Sequence, residues 1–316
     1  MPIFGRRRPS YQTRGNGLGG LFGSGRKRSN RGGKGIPIRL LLAVGIAVFA
    51  FVSFYFNTSI NPVTGKAERI GGIDAAQEVA LGLNAAPQMV QQMGGRVRTN
   101  DPRARLVEAV GRRLLDEGGI SRILREKNVP WEFSFTLLED DQLVNAFALP
   151  GGPVFITEAL FNRLENEAQL AGILGHEIGH VIERHGLERM AKGQLGQQLV
   201  GAVAVGAGDS GQMATAAAQM ANNMMQMSYS REAELESDAY GLDAMVAAGY
   251  DPSQMIRVME ILAEASGGSG GGRGSRNDFM QTHPHPEKRI EAIEAFLRTN
   301  FPEGVPPTLS TGRRFH

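Results

Sequence analysis

Apolar residues recur at helical spacing along most of this chain, and one run of them stands apart. Leu40 to Phe56 holds seventeen residues without a charge. With Ile36, Pro37 and Ile38 ahead of it and Arg39 able to snorkel, it approaches the roughly 20 residues that a membrane-spanning helix needs. Asn61-Pro-Val-Thr-Gly65 then reads as a turn-rich exit. Asp74 to Met93 reads as a helix that Pro87 should kink or split. Asp101-Pro102 marks a capped helix start, Leu106, Val110 and Leu114 form its apolar stripe, and Gly118-Gly119 ends it.

The period then changes from helical to alternating. Trp131 to Leu137, Val144 to Leu149 and Val154 to Ile156 read as strands, the last two turning around Pro150-Gly-Gly-Pro153. Thr157 should cap a helix through Leu164. Leu170, Ile173, Leu174, Ile178 and Val181 then predict a half-buried helix. Helical patterns return after Arg231, from Asp251-Pro252 to about Ala265, and over Ile290, Ile293 and Leu297. Residues 190–227 are rich in small residues and methionine; Met220, Met224, Met225 and Met227 are expected in core packing, with an adaptable apolar substrate groove as the alternative. Residues from Pro302 onward read as a tail. The expectation is an α+β fold: a mainly helical domain with a small β-sheet, preceded by one transmembrane helix.

Charge refines that picture. The 316 residues carry 34 Lys and Arg against 32 Asp and Glu, a formal +2. Residues 1–40 hold ten of the basic residues and no acid, which leaves 24 against 32, or −8, on the rest. Residues 1–35 are Gly-, Arg- and Ser-rich and should be a disordered basic tail. A basic flank before an apolar span belongs in the cytoplasm and places residues 57–316 on the far, periplasmic or extracytoplasmic, side. No A-x-A-like site comes after Phe56, so an uncleaved anchor fits better than a signal peptide. The chain thus divides into a tail at 1–35, an anchor in the lipid bilayer at 36–57, one folded domain at 58–300 and a second tail at 301–316. Nucleic acid is not an expected partner, because the basic excess belongs to the tail.

The candidate chemistry sits in Gly175-His-Glu-Ile-Gly-His180. Histidines four apart on a helix share a face, so His176 and His180 can hold one ion. Glu177, beside them, can take a proton from a water activated there. Cysteine is absent, so the remaining ligand must be His or a carboxylate. Continuing the pattern to a third histidine would need His at 186, where this chain has Gly186; His185 is one residue early. Glu234 and Asp238, again four apart, offer a ligand and a carboxylate to orient a ligating histidine. The hairpin of Val144 to Leu149 and Val154 to Ile156 precedes this helix; an edge strand there can pair with an extended peptide, or the strands only support the core. His283 or His285 can swing onto the metal or contact substrate.

Together these pieces resemble the gluzincin metallopeptidases of the HtpX, CAAX prenyl endopeptidase and BepA type. The matching segments are Asn61 to Gly65, Asn145 to Gly152, Gly175 to His180, Glu234 with Asp238, and Thr282-His-Pro284, in order across about residues 60–295. The resemblance implies a zincin-like fold and one zinc per chain held by His176, His180 and Glu234. It implies Glu177 as general base, Asp238 behind the ligands, and a substrate-binding edge at Asn145, Ala146, Phe147 and Ala148. It makes His283 a regulatory or transition-state contact. The expected activity is endopeptidase cleavage of unfolded or misassembled envelope polypeptides, with a proteolytically silent metal-binding chaperone or scaffold as the alternative.

Overall fold

The computed structural model describes residues 38–195, 228–267, 276–277 and 279–315. The expectations for residues 1–35 and for Met220, Met224, Met225 and Met227 lie outside them. The first element, α1 (Ile38–Phe56), is the one helix among the described residues that is long and apolar enough to cross a membrane. Its large side chains, Phe49 and Phe56 among them, point away from the rest of the chain. A helix that exposes so many large apolar side chains is what a bilayer would cover.

A short antiparallel hairpin comes next, β1 (Ser59–Ile60) with β2 (Ala67–Glu68). Its turn is made by Asn61, whose side-chain oxygen accepts from the backbone of Val63 at 2.9 Å and of Thr64 at 3.0 Å. Helix α2 (Ala75–Gln92) starts in a capping box between Asp74 and Gln77. It is not split by Pro87, which lies within a continuous element on an exposed side. Helix α3 (Pro102–Glu117) begins at the Asp101 cap and ends at Gly118, and Gly119, at φ +75°, starts the short α4 (Ile120–Glu126).

The three-stranded sheet has the order β3 (Ser134–Leu138), β6 (Pro153–Thr157), β5 (Ala146–Ala148). β3 runs parallel to β6, and β5 and β6 form the expected hairpin. A small separate pairing joins β4 (Leu143–Val144) to β7 (Arg276–Asn277). β5 is therefore an outer strand of its sheet. Thr157 does cap a helix, α5 (Glu158–Phe161), which is shorter than expected.

Helix α6 (Glu167–Ile182) carries the two motif histidines, and every residue from Ala168 to Ile182 is buried. The sequence pattern predicts burial on one face only. The difference lies in the packing: α3, β5, α7 (Arg231–Ala247) and α8 (Gln254–Gly267) enclose α6 on several sides. Its alanines and glycines let backbones approach where a polar face would stand. The segment after Pro302 is no free tail. Arg313 and Thr311 carbonyls accept from the Glu167 and Ala168 amides, each at 3.0 Å, and Phe315 stacks on Phe161 at 5.1 Å. These bonds, with the Asn166 cap on Gln169, satisfy amides that a helix start leaves open.

α6 and α7 cross through glycine. A Cβ built on Gly175 would stand 3.0 Å from the Gly241 Cα, and one on Gly179 would stand 2.8 Å from the Ser237 Cα and 3.0 Å from its carbonyl oxygen. Backbone atoms cannot swing aside, so Gly179→Ala must push the helices apart. We expect it to cost about 1–3 kcal/mol in denaturant unfolding and to lower metal content in the purified protein. An unchanged midpoint would show that the crossing tolerates a methyl group.

Candidate metal centre

The close crossing sets α7 against the histidine face of α6. His176 Nε2 lies 3.0 Å from His180 Nε2, as stacked positions four apart require. Glu234, in the first turn of α7 behind the Ser230 cap, reaches both, with Oε2 3.5 Å from His176 Nε2 and Oε1 3.4 Å from His180 Nε2. His283 enters from the loop between α9 (Phe279–Thr282) and α10 (Pro286–Asn300). Its Nδ1 is 3.1 Å from His176 Nε2, 3.2 Å from His180 Nε2 and 3.1 Å from Glu234 Oε1.

These contacts test whether a metal fits. Four donor atoms around zinc at about 2.0–2.1 Å form a tetrahedron with edges of about 3.3–3.4 Å. The three ring nitrogens stand 3.0–3.2 Å apart, and Glu234 Oε1 lies 3.1 Å from His283 Nδ1 and 3.4 Å from His180 Nε2, five edges of that size on one set of four atoms. The three ring nitrogens and the carboxylate converge in a buried space, where their lone pairs repel unless a cation lies between them. Among the described residues this is the one group of four His and acidic side chains able to hold a metal. The donor set fits a metal of zinc's preferences.

The charges around the centre are divided. Glu177 is fully buried, and neither carboxylate oxygen has a hydrogen-bond partner. Burial lifts its carboxyl above the ordinary value, with His283 and His176 pulling the other way. Burial also acts to raise Glu234, but the charges of His283 and Arg289 overturn it and hold that carboxylate far below its usual range. Two acids placed side by side are thereby pushed apart, one ready to take a proton and one fixed as an anion. Burial drives His180 well below the ordinary imidazole value, which keeps the ring neutral.

Behind the centre, Asp238 Oδ1 accepts from His176 Nδ1 at 2.8 Å. Arg289 of α10 is buried there, donating to Asp238 through Nε at 2.7 Å and Nη2 at 2.6 Å, with Nη1 2.9 Å from Glu234. The sequence pattern does not single out Arg289. It sits beside Lys288, which pairs on the surface with Glu291 at 2.8 Å. Tyr229, also missed, stacks on the His180 ring at 3.9 Å, and Phe279 stacks on His283 at 4.2 Å.

The strand candidates divide. Asn145 and Ala146 are buried; the Asn145 backbone bonds Thr157, and its side-chain oxygen is without a partner. Phe147 is half-buried against Phe155. Ala148 lines a narrow crevice with Pro150, His180, Arg184 and Tyr229. His285 does not face the centre. It precedes α10 with φ +68°, so the choice left open between the two loop histidines falls to His283.

At the base of that crevice Arg184 meets two carboxylates, Glu78 at 3.0 Å and Glu68 at 3.6 Å. Burial pushes each carboxyl up to about 7. A carboxyl raised on folding favours the folded state most fully below its ordinary value of 4.5, and that contribution is lost as pH rises through about 7. The wild type should therefore lose stability relative to Glu78→Gln across this window in denaturant unfolding. A difference that stays flat would show that Glu78 titrates elsewhere.

A sequence profile of peptidase family M48 matches residues 103–297, more than half of the chain. The chain belongs to peptidase family M48. By family it is a metallopeptidase, and the matched stretch contains both motif histidines, Glu234 and His283. The M48 chain is 28% identical over 254 residues to the mitochondrial metalloendopeptidase OMA1 of Schizosaccharomyces pombe, covering 79% of this chain and 70% of that protein. It is 31% identical over 169 residues to OMA1 of Arabidopsis thaliana, covering 53% of this chain and 32% of that one. It is 29% identical over 231 residues to the beta-barrel assembly-enhancing protease of Escherichia coli K12, covering 69% and 45%. It thus spans less than half of the last two relatives.

Proposed function

We propose that this M48 chain is a membrane-anchored zinc endopeptidase that cleaves unfolded or misassembled polypeptides of the cell envelope. The observation that carries the reading is a four-donor cluster with a buried, unpartnered carboxylate, Glu177, at its side. His176, His180 and Glu234 are the residues that would hold the metal. Bound there, zinc would supply Lewis-acid polarisation of the scissile carbonyl and of water. Glu177 would take the proton of the attacking water and deliver it to the leaving amine. Asp238 would orient His176, and Tyr229 would wall the ring of His180. An extended peptide would add to the outer edge of β5 at Ala146 to Ala148.

His283 occupies the place that water or substrate would need. Its Nε2 also lies 3.6 Å from Glu177 Oε1, so the ring stands between the base and the donor cluster. The resting site is therefore closed, and cleavage requires His283 to withdraw. Residues 36–57 would anchor the chain with the basic segment 1–35 in the cytoplasm and the domain 58–300 on the extracytoplasmic side. The name of one relative, a beta-barrel assembly-enhancing protease, supports a setting where membrane proteins are assembled.

The test uses full-length protein purified in detergent. We expect one zinc per chain, and casein cleavage that a chelator abolishes and added zinc restores. His283→Ala should cleave faster than wild type if the closed site limits the rate. Zinc-loaded wild type and His283→Ala that both leave casein intact would sink the enzyme and leave a silent metal-binding scaffold.

A further inference from the structure

His185 is too early in the chain to complete a metal-binding triplet of histidines, yet it is buried beside the centre. On a continuous helix a residue five positions on is turned by about 140° from His180. α6 ends at Ile182, and Arg184 takes φ +56°, a left-handed conformation unusual for a residue with a side chain. That break brings His185 back against His180, with the two Nδ1 atoms 3.0 Å apart. His180 thus meets the donor cluster through Nε2 and His185 through Nδ1. On its far side, His185 Nε2 is 3.2 Å from Glu236 Oε2. The other oxygen of Glu236 is 3.1 Å from Lys66, which also bonds Glu183 at 2.7 Å.

The protons in this chain of contacts have one consistent arrangement. An ionised carboxylate only accepts, so the Glu236 contact places the His185 proton on Nε2. His185 Nδ1 is then a bare acceptor, and the facing His180 Nδ1 must donate to it. That leaves His180 Nε2 without a proton and aimed at the cluster. The Ser237 hydroxyl, 3.3 Å from His185 Nδ1, can donate to the same lone pair. His176 Nδ1 meets the Asp238 carboxylate directly; His180 Nδ1 meets a histidine, with the carboxylate of Glu236 behind it.

We propose that His185 is a positioning residue that, with Glu236 behind it, fixes the tautomer and ring plane of His180 for metal binding. The proposal rests on the reading of His180 as a ligand. Lys66, on the hairpin just after the membrane helix, steadies the outer end of the relay.

The test is the zinc affinity of the full-length protein in detergent, measured by competition with a chromophoric chelator. Loss of an outer partner of a ligating histidine costs about 10–100-fold in metal affinity, and His185→Leu should fall in that range. Glu236→Ala, at a half-exposed position where folding is not at risk, should weaken binding several-fold. Glu236→Gln, whose amide oxygen still accepts from His185, should restore affinity to near wild type. Variants His185→Leu and Glu236→Ala that both bind zinc as the wild type does would overturn the proposal. So would Glu236→Gln losing as much as Glu236→Ala. Wild-type protein that takes up no zinc would overturn the reading of the centre itself and, with it, this one.

Discussion

Glu177→Gln should leave the zinc content of the purified protein intact and lower casein cleavage at least a hundredfold. The side chain is no part of the donor tetrahedron, so exchanging a carboxylate for an amide of the same shape removes no metal ligand. It removes the proton acceptor that the proposed reaction needs. Both oxygens are buried and unpartnered, and burial lifts the carboxyl so that it accepts a proton readily. General base catalysis is worth about 10²–10⁴-fold, and an amide cannot supply it. Metal analysis alongside the cleavage assay separates the outcomes. A variant that cuts at the wild-type rate removes Glu177 from the chemistry. A variant that loses zinc moves it into the donor set.

The second large effect is expected at Arg289, where methionine should destabilise the fold by about 3–5 kcal/mol, the cost of leaving buried charges without their partner. The guanidinium stands between Glu234 and Asp238 and is as buried as they are. Burial works against its charge, but the two carboxylates outweigh that and hold it cationic. Removing it leaves two anions facing each other across His176. Arg289→Lys keeps the charge without the planar fork that reaches both acids, and should fall between. Saturating zinc should recover part of the loss in Arg289→Met, because a cation bound on Glu234 neutralises one of the two. Denaturant unfolding with and without zinc reads all three. A cost below about 1 kcal/mol would place the clamp among surface-like pairs.

The spacing of residues made much of this legible. Histidines four apart, and acids four apart on a second helix, need only helical geometry to share a face, and both pairs lie where that geometry puts them. The alternating strands before the motif helix form the expected hairpin. What stayed hidden depends on contacts distant in sequence. Nothing near Arg289 separates it from Lys288; only the approach of α10 to α7 makes one structural and leaves the other in solvent. α6 reads as one-sided because its small residues carry no pattern. Gly175 and Gly179 announce close approach without naming Gly241 and Ser237 as what approaches. Pro87 breaks no helix because its exposed position asks nothing of the missing hydrogen bond. Thr311 to Phe315 read as a tail because the backbone bonds that hold them leave no trace in side-chain type.

α6 is fastened at both ends by distant parts of the polypeptide. Asn61 donates to the Ile182 carbonyl at 2.8 Å, and the Arg313 carbonyl accepts from Glu167 at 3.0 Å. This sets an order during synthesis. In translation the rod bearing both histidines is made long before its second fastener, and only when residue 313 has left the ribosome can both ends be tied. Until then the rod bearing both histidines is held at one end only, by Asn61.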